Sequence, residues 1–397
     1  MEALRARRRR RCPRIRAIPA SEDCLPRLRE ALPLTDSFNR QTDERNDMRK
    51  VRAMSEKSPK EQRVRLIDVA DAANVTKSVV SRVLSGDPTL AVRDETRDRI
   101  LALAANLAYE PHAGAKALAG SRSKALALLI PDLTTPVYAR IARGAYQRAR
   151  ERGYVVLLAE DREDSQSQSD YTDLVSAGRV DGLLIASSRE GHPLLADGRL
   201  RTVPHVFVNR TVPDSGRNVS INQSSASANA YRFLFERGHR KIGHISGTDT
   251  LSPAVERERG FDQAASDLGA EKPMVVRDDF LESGGYRSAE LLMREHPEIT
   301  ALYAGTFSQS VGALKALRDL GIQVPEDVSV LSNDDLPLAN YLVPSLSAMA
   351  MPLDELGRLA VDTLVDQLEG KAVADVVLEH DAVAVERGST ARARPSP

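Results

Sequence analysis

The chain has 397 residues, enough to form two or three substantial hydrophobic cores. Its 56 Lys and Arg balance its 56 Asp and Glu, so its formal net charge is zero. Residues 1–60 nevertheless hold 17 basic and 9 acidic side chains, and the other 337 residues are net acidic by 8. Any affinity for a polynucleotide should therefore be local and strongly salt-dependent.

Several classes of protein are excluded by what the sequence lacks. Cys12 and Cys24 are its two cysteines, so the later chain has no disulfide framework, cysteine metal site or cysteine nucleophile. No apolar run reaches the roughly 18 residues of a membrane span. No apolar stretch of a secretory signal follows the N-terminal arginines. We expect a cytoplasmic protein with no membrane partner and no cofactor.

Residues 1–63 form a basic segment without hydrophobic periodicity, rich in Arg, Asp, Ser and Pro. This composition predicts a disordered extension. The run Arg7–Arg11 is either an arm that grasps DNA or a solvated tail. A third interpretation is that the extension lies upstream of the true start, with translation beginning at Met48 or Met54.

The segment Leu66–Gly86 predicts two short amphipathic helices joined by a tight turn. Its apolar side chains follow the helical i, i+3, i+4, i+7 spacing up to Ala73, and this spacing resumes at Val79. Asn74 tolerates a left-handed backbone, and Thr76 can cap the second helix by accepting a backbone N–H. Two helices joined by so short a turn form a helix-turn-helix.

The second of these helices carries polar side chains suited to phosphates and base edges. A third helix is expected after Asp94 as its cap, with an apolar face formed by Ile100, Leu101, Leu103, Ala104 and Leu107. It would complete a three-helix domain over residues 64–111. The candidate DNA-contacting residues in this domain are Thr76, Lys77, Ser78, Ser81 and Arg82.

From residue 124 the pattern changes to short apolar runs that alternate with helical stretches. This alternation predicts parallel strands with right-handed crossovers, and hence two doubly wound α/β lobes over residues 124–390, followed by a tail at 391–397. Such sheets bind ligands beyond the carboxyl ends of their strands. The predicted strands are Ala125–Asp132, Tyr154–Asp161, Asp181–Ser188, His205–Arg210, Lys241–Gly247, Pro273–Phe280, Ala301–Thr306 and Val328–Asp335.

The helix-turn-helix segment resembles that of the lactose-repressor (LacI) family, whose usual wording is close to DVAxxAGVSxxTVSRVLNG. This chain keeps DVA at 68–70 and VSRVL at 80–84. The resemblance extends over about residues 64–390. It implies an all-α helix-turn-helix DNA-binding domain followed by an α/β two-lobed domain like that of periplasmic sugar-binding proteins. A helical hairpin with a polar face is the alternative from the residues alone. The chain departs from the family at Asn74, Thr76, Val79 and Ser85.

Residues 112–123 stand where the family has a hinge helix that orders on operator DNA. The resemblance implies that Leu118 is the side chain that enters the minor groove and kinks a central base step. The alternative is a plain linker, and Gly114 would weaken a helix here by about 0.5–1 kcal/mol relative to Ala.

The resemblance also implies an effector site between the lobes. Segments PDLTTPVY, VNR, VERERGF, DDFLESGGY and SNDDLP answer family motifs that hold the ligand. The family's AxNDxxAxG is replaced by AGTFSQSVG at 304–312, which loses polar amide contacts and gains an aromatic ring. The absence of tryptophan also removes the best surface for stacking on a pyranose. The implied ligand-binding residues are Thr135, Asn209, Arg257, Phe280, Thr306 and Asp334.

Four of these residues also have a structural interpretation. Arg257 could be a surface arginine in a charged helix, and Asp334 could cap a turn. Asn209 could serve a turn at a strand end, and Phe280 could belong to the core. The histidines His239 and His244 lack the carboxylates and spacing of a metal site or proton relay, so structural roles are expected for them.

These features predict a ligand-responsive transcriptional regulator of the repressor type. It would bind a pseudo-palindromic operator in double-stranded DNA as a homodimer, and its effector would be a sugar or related metabolite. The alternative is a cytoplasmic small-molecule-binding protein with a non-functional DNA-binding domain. An enzyme is not expected, because no nucleophile–base pair, metal cluster or phosphate loop is present in the sequence.

Overall fold

The computed structural model describes residues 64–87, 89–109, 122–161, 167–188, 192–196 and 198–394. The predictions made for residues 1–63, for Leu118 with most of the hinge segment, and for residues 395–397 lie outside this part of the chain. Within the described ranges, no helix is both long and apolar enough to cross a membrane.

Three short helices form a small unit around one apolar core. Val69 and Ala73 of the first helix meet Val80 of the second and Ile100 of the third, and all four side chains are buried. Small alanines on the first helix let its neighbours approach closely, as helix-turn-helix packing requires. The three helices are α1 (Leu66–Ala73), α2 (Lys77–Leu84) and α3 (Asp94–Asn106).

The three helices confirm one local prediction and correct three others, two at helix ends and one within α3. Asn74 ends α1 with φ 51°, the predicted left-handed turn. Thr76 occupies the N-cap of α2, but its side chain accepts no backbone N–H, so the predicted cap bond is wrong. The N-cap of α3 is Arg93, and Asp94 is instead its first residue, where a carboxylate favours the helix dipole. Leu101 is 45% exposed, because it lies about 100° around the helix from buried Ile100.

The first lobe, called the N-lobe, is a parallel six-stranded sheet covered by helices. From one edge of the sheet to the other, the strands are those at residues 376–378, 218–221, 205–208, 182–185, 125–130 and 155–160. The helices at residues 136–151 and 353–368 pack together and against the strands. The strand at residues 155–160 is an edge strand with an exposed apolar surface. The elements are β1 (Ala125–Ile130), α4 (Pro136–Glu151), β2 (Val155–Glu160), α5 (Ser167–Ser176), β3 (Gly182–Ile185), α6 (Pro193–Ala196), β4 (His205–Val208), β5 (Asn218–Ile221), α11 (Leu353–Leu368) and β11 (Val376–Leu378).

The second lobe, called the C-lobe, has a second six-stranded sheet of order β12-β10-β9-β8-β6-β7. All its pairs are parallel except β10 with β12. Helix pairs α7 with α8 and α9 with α10 pack closely. The elements are α7 (Gln223–Glu236), β6 (Ile242–Ser246), α8 (Ser252–Asp267), β7 (Met274–Arg277), α9 (Glu282–Glu295), β8 (Ala301–Ala304), α10 (Phe307–Asp319), β9 (Ser329–Ser332), β10 (Ser347–Met349) and β12 (Ala384–Val385).

The chain passes between the lobes three times: after β5, after β10 and after β11. The eight predicted strands are all present, with ends that differ by a few residues. Strands β5, β10, β11 and β12 were not predicted, because runs of two to four residues carry too little periodicity to distinguish them from loops.

Candidate functional site

Helix α2, the second helix of the helix-turn-helix, has one buried and one accessible face. Val80 and Val83 are buried against the other two helices. Thr76, Lys77 and Ser78 are exposed at its start. The two remaining predicted DNA-contacting residues, Ser81 and Arg82, are partly exposed further along the helix. All five therefore leave polar atoms accessible, as DNA contact requires.

Arg82 differs from the other four because its side chain has partners within the unit. Its Nε donates to Asp87 Oδ2 at 2.7 Å, and its Nη2 donates to Thr89 Oγ1 at 2.9 Å. The hydrogen bonds from Thr89 and from Arg82 lower the pKa of Asp87 to about 2, so this carboxylate is ionised at neutral pH. No periodic pattern of residues predicts this contact, because it joins a helix to the irregular loop after it.

A cavity of about 480 Å³ lies between the two lobes. It is bordered by residues that follow the carboxyl ends of strands in both sheets, where doubly wound sheets bind ligands. Its volume suits a small polar molecule. All six residues predicted for ligand binding line it: Thr135, Asn209, Arg257, Phe280, Thr306 and Asp334.

Arg257, on α8, is buried and faces this cavity. Its Nε donates to Gln223 Oε1 at 3.1 Å, and its Nη1 donates to the Gly305 carbonyl at 2.6 Å. Its Nη2 has no protein hydrogen-bond partner among the described residues, although Arg side chains present five donors. Burial lowers the pKa of Arg257, and the negative charge of Asp334 opposes that shift. The interpretation as a surface arginine is therefore wrong.

Asp334 follows β9 and is also buried at the cavity wall. Its Oδ1 accepts the Asn333 side-chain amide at 3.2 Å, and Asn333 in turn accepts the Tyr303 hydroxyl at 2.7 Å. Burial raises the pKa of Asp334, while the positive charge of Arg257 opposes the rise. The cavity thus holds one buried cation and one buried anion on its C-lobe wall, a pair suited to hydroxyl groups that both donate and accept.

Phe280 can lie at the cavity wall because its ring packs against Gly247, which has no side chain. A Cβ added at Gly247 would be 2.1 Å from Phe280 Cε1. Thr306 holds the backbone of Phe280 in place. Its hydroxyl donates to the Phe280 carbonyl and accepts the Gln309 N–H, both at 3.1 Å. Thr306 is therefore an N-cap that supports the ring as well as a lining residue.

Asn209 and Thr135 line the cavity from the N-lobe. Asn209 has φ 55°, a left-handed conformation that Asn tolerates better than most residues, and its Oδ1 accepts Gln223 Nε2 at 3.4 Å. Gln223 thus bridges Asn209 of one lobe and Arg257 of the other. Thr135 is the N-cap residue of α4, but its side chain accepts no cap bond.

Other polar residues around the cavity were not predicted from the sequence. Asp161 Oδ2 accepts a hydrogen bond from Ser187 Oγ at 2.5 Å and lies 3.2 Å from His192 Nε2, and all three side chains are buried. Arg210 donates to the Tyr138 hydroxyl at 2.8 Å. Asp161, Ser187 and Arg210 each follow the carboxyl end of an N-lobe strand, which is the signal that could have identified them.

The described residues contain no group of three or more His, Cys, Asp or Glu arranged to hold a metal ion. His239 lies between Thr300 Oγ1 at 2.9 Å and the Ala391 carbonyl at 3.1 Å. His244 stacks on Tyr303 and approaches the Tyr303 carbonyl at 3.0 Å. Both histidines hold C-lobe elements together, which confirms their predicted structural roles.

Two family profiles match the chain. Residues 65–112 match the bacterial regulatory proteins of the lacI family, and residues 231–390 match a periplasmic binding protein-like domain. These ranges correspond to the helix-turn-helix unit and to most of the C-lobe together with the N-lobe elements near the C-terminus.

Individual proteins match over a longer range. The HTH-type transcriptional repressor PurR of Shigella dysenteriae serotype 1 (strain Sd197) is 31% identical over 329 residues, 82% of this chain and 96% of that protein. The repressor CytR of Escherichia coli (strain K12) is 29% identical over 331 residues, 83% and 96% of the two chains. The solved structure of the transcriptional regulator CelR-cellobiose complex has a TM-score of 0.63 at 28% identity, covering 82% of this chain and 100% of that one. The chain therefore belongs to the lacI family of bacterial regulatory proteins, and it is a DNA-binding transcriptional regulator rather than an enzyme.

Proposed function

We propose that the protein is a cytoplasmic repressor that binds a pseudo-palindromic operator as a homodimer and responds to a small molecule in the inter-lobe cavity. The observation that carries this proposal is the convergence of six predicted ligand residues, distant in sequence, on one cavity in a chain that also exposes a recognition helix. Thr76, Lys77 and Ser78 would contact phosphates and base edges of one half-site.

The effector is proposed to be a neutral polar molecule of carbohydrate type. Arg257 and Asp334 supply a donor and an acceptor for hydroxyl groups, and Phe280 supplies an apolar face for a ring. The relative CelR was solved in complex with cellobiose, which supports the same class. Phe307 replaces an expected polar side chain and is buried in the hydrophobic core next to Thr306 instead of lining the cavity, so this position supplies no polar group to an effector.

Two exposed apolar surfaces support the homodimer. The edge strand β2 presents Val155, Leu157 and Leu158, each about half exposed. Tyr341 and Val343, between β9 and β10, are 80% and 95% exposed. Contiguous apolar side chains of this kind usually mark an interaction surface, and a second copy of the chain is the partner that an inverted-repeat operator requires.

Regulation would follow from closure of the lobes around the effector. Gln223 stands on the first crossing between the lobes and bonds to cavity residues of both, so a ligand there would bias the crossing segments. Such couplings change affinity by about 1–3 kcal/mol. Leu118 is proposed to wedge the centre of the operator when the hinge orders on DNA.

The test is selection of a binding site from a random duplex pool by the full chain, followed by titration with mono- and disaccharides that include cellobiose. We expect an inverted repeat to be enriched and one carbohydrate to change its affinity at least fivefold. Binding of a carbohydrate without any enriched sequence would favour the alternative, a small-molecule-binding protein whose DNA-binding unit is non-functional. Absence of both would contradict the proposal.

A further inference from the structure

The loop after α2 turns back on the helix and places the carboxylate of Asp87 beside Arg82. Gly86 has φ +69° and ends α2 in a left-handed turn, with its N–H bonded to the Val83 carbonyl at 3.1 Å. The next N–H, that of Asp87, donates to the Arg82 carbonyl at 3.0 Å. This pair of bonds is the Schellman ending of a helix, which reverses the chain over its last turn. The backbone turn at Gly86 therefore places Asp87 beside Arg82 independently of the side-chain contacts.

Thr89 then fixes the orientation of that carboxylate. Asp87 Oδ1 accepts the Thr89 N–H at 2.8 Å and the Thr89 hydroxyl at 2.7 Å. Asp87 Oδ2 is left to face Arg82 Nε at 2.7 Å. An isolated ion pair on the surface would contribute little to stability. Here each oxygen of the Asp87 carboxylate has its own hydrogen-bond donors, so the orientation of the carboxylate toward Arg82 is fixed.

The contact occupies only one side of the guanidinium. Nε donates to Asp87 and Nη2 donates to Thr89, while Nη1 has no protein partner among the described residues. The Arg82 side chain remains 41% exposed. The outer end of a guanidinium fork is the part that bonds two acceptors of a guanine at once. Asp87 and Thr89 thus hold the Arg82 side chain in place and leave the outer end of its guanidinium accessible.

We infer that Asp87 and Thr89 are positioning residues that orient Arg82 for recognition of one base pair. This inference rests on the proposed function, because it assumes that α2 enters a DNA groove. A long arginine side chain loses rotamer freedom when it binds, and a partner that orders it beforehand lowers that loss in the complex. Asp87 carries a negative charge that DNA phosphates would repel, so its effect on affinity should depend on the sequence of the duplex.

The experiment begins with site selection from a random duplex pool by wild-type full chain and by Arg82→Ala. The position at which Arg82→Ala loses its preference identifies the base pair that Arg82 contacts. Affinities for the selected duplex and for its variant at that base pair are then measured for Asp87→Ala, Thr89→Ala and Thr89→Ser. Circular dichroism and thermal melting of each variant show whether the helices remain folded.

We expect Asp87→Ala to lose about five- to tenfold in discrimination at the base pair of Arg82, with unrelated duplexes bound as well as before or more tightly. Thr89→Ser should keep the discrimination, and Thr89→Ala should lose part of it. In the Arg82→Ala background, Asp87→Ala should change discrimination less than twofold, because the residue acts through Arg82.

Two results would overturn the inference while leaving the proposed function intact. Asp87→Ala could discriminate as well as the wild type, or it could bind every duplex more tightly by the same factor, in which case Asp87 only competes with DNA. If the wild type enriches no sequence at the first step, the proposed function fails and the inference falls with it.

Discussion

The guanidinium of Arg257 lies over the ring of Phe280, with its Cζ 5.4 Å from the ring centroid. The two residues are 23 positions apart and come from different elements, α8 and the loop before α9. This spacing is within the range of a cation–π contact, which is stronger in a desolvated site than on the surface. The pair offers an effector a charged donor and an apolar face at one wall of the cavity.

Arg257→Ala should abolish the response to the effector while leaving operator binding unchanged. The substitution removes the unpartnered Nη2 donor and leaves Gln223 without its Arg257 contact, so effector affinity should fall by about ten- to a hundredfold. Operator affinity measured by fluorescence anisotropy, with and without effector, tests this. Exposed Arg259 on the same helix provides the control, and Arg259→Ala should respond normally. An unchanged response in Arg257→Ala would exclude the proposed role.

Gly260→Ala should destabilise the C-lobe. A Cβ at this position would be 2.0 Å from the Ser224 carbonyl oxygen, so α8 would have to move away from α7. Overpacking of this kind costs about 1–3 kcal/mol of unfolding free energy. Chemical denaturation measures the loss. Gly198→Ala is the matched control, since a Cβ there meets nothing within 4 Å, and it should change stability little. Equal stability of the two variants would contradict the close approach.

His244 should make the protein less stable in mild acid. Burial lowers the pKa of His244 to about 4, whereas an unfolded histidine titrates near 6.5. The unfolded state therefore binds more protons between these values, and stability is lost as pH falls from about 6.5 to 4, by up to about 1.4 kcal/mol per pH unit. His244→Phe keeps a ring in contact with both Phe261 and Tyr303 but cannot titrate.

Denaturation midpoints measured across this pH range test the prediction. The acid-induced loss of stability should be smaller in His244→Phe than in the wild type. The partly exposed His296 supplies the control, and His296→Asn should retain the wild-type slope. The same slope in all three proteins would show that His244 does not titrate as its burial indicates.

Leu157→Glu should produce a monomer. Leu157 lies on the exposed apolar surface of the edge strand β2, and a charge there would not be tolerated in a buried interface. We expect operator affinity to fall as well, because a monomer contacts a single half-site. Sedimentation at micromolar concentration measures the mass. Val255→Glu, at a similarly exposed apolar position on α8, should remain a dimer. A dimeric Leu157→Glu would place the interface elsewhere.

The fold was largely predictable because its elements are marked by local periodicity. The apolar spacing around Asn74 identified two helices and their turn, and eight apolar runs identified eight strands. Predictions failed where the result depended on a single bond. Thr76 occupies its cap position without capping, and α3 begins one residue away from the predicted boundary, at a position that its sequence spacing does not distinguish.

The candidate site was predictable only through motifs. The segment VERERGF, through its likeness to a family motif, pointed to Arg257, but nothing in the chain order indicated that its Nε would meet Gln223. The hydroxyl of Thr306 was expected to face a ligand, and the structure shows that it also fixes the carbonyl of Phe280. Asp161 was missed because its partners are 26 and 31 positions away in sequence.

Local sequence patterns were sufficient to predict the three helices of the first unit, eight of the strands in their order, the two-lobed architecture and the polar face of α2. These features follow from backbone preferences and from the periodic burial of apolar side chains, which act over neighbouring residues. The tertiary structure determines which polar groups share the cavity, that Arg210 and Arg257 are buried, and that Asp87 pairs with Arg82. Those outcomes depend on three crossings between lobes and on the path of one loop, where residues far apart in sequence compete for the same donors and acceptors.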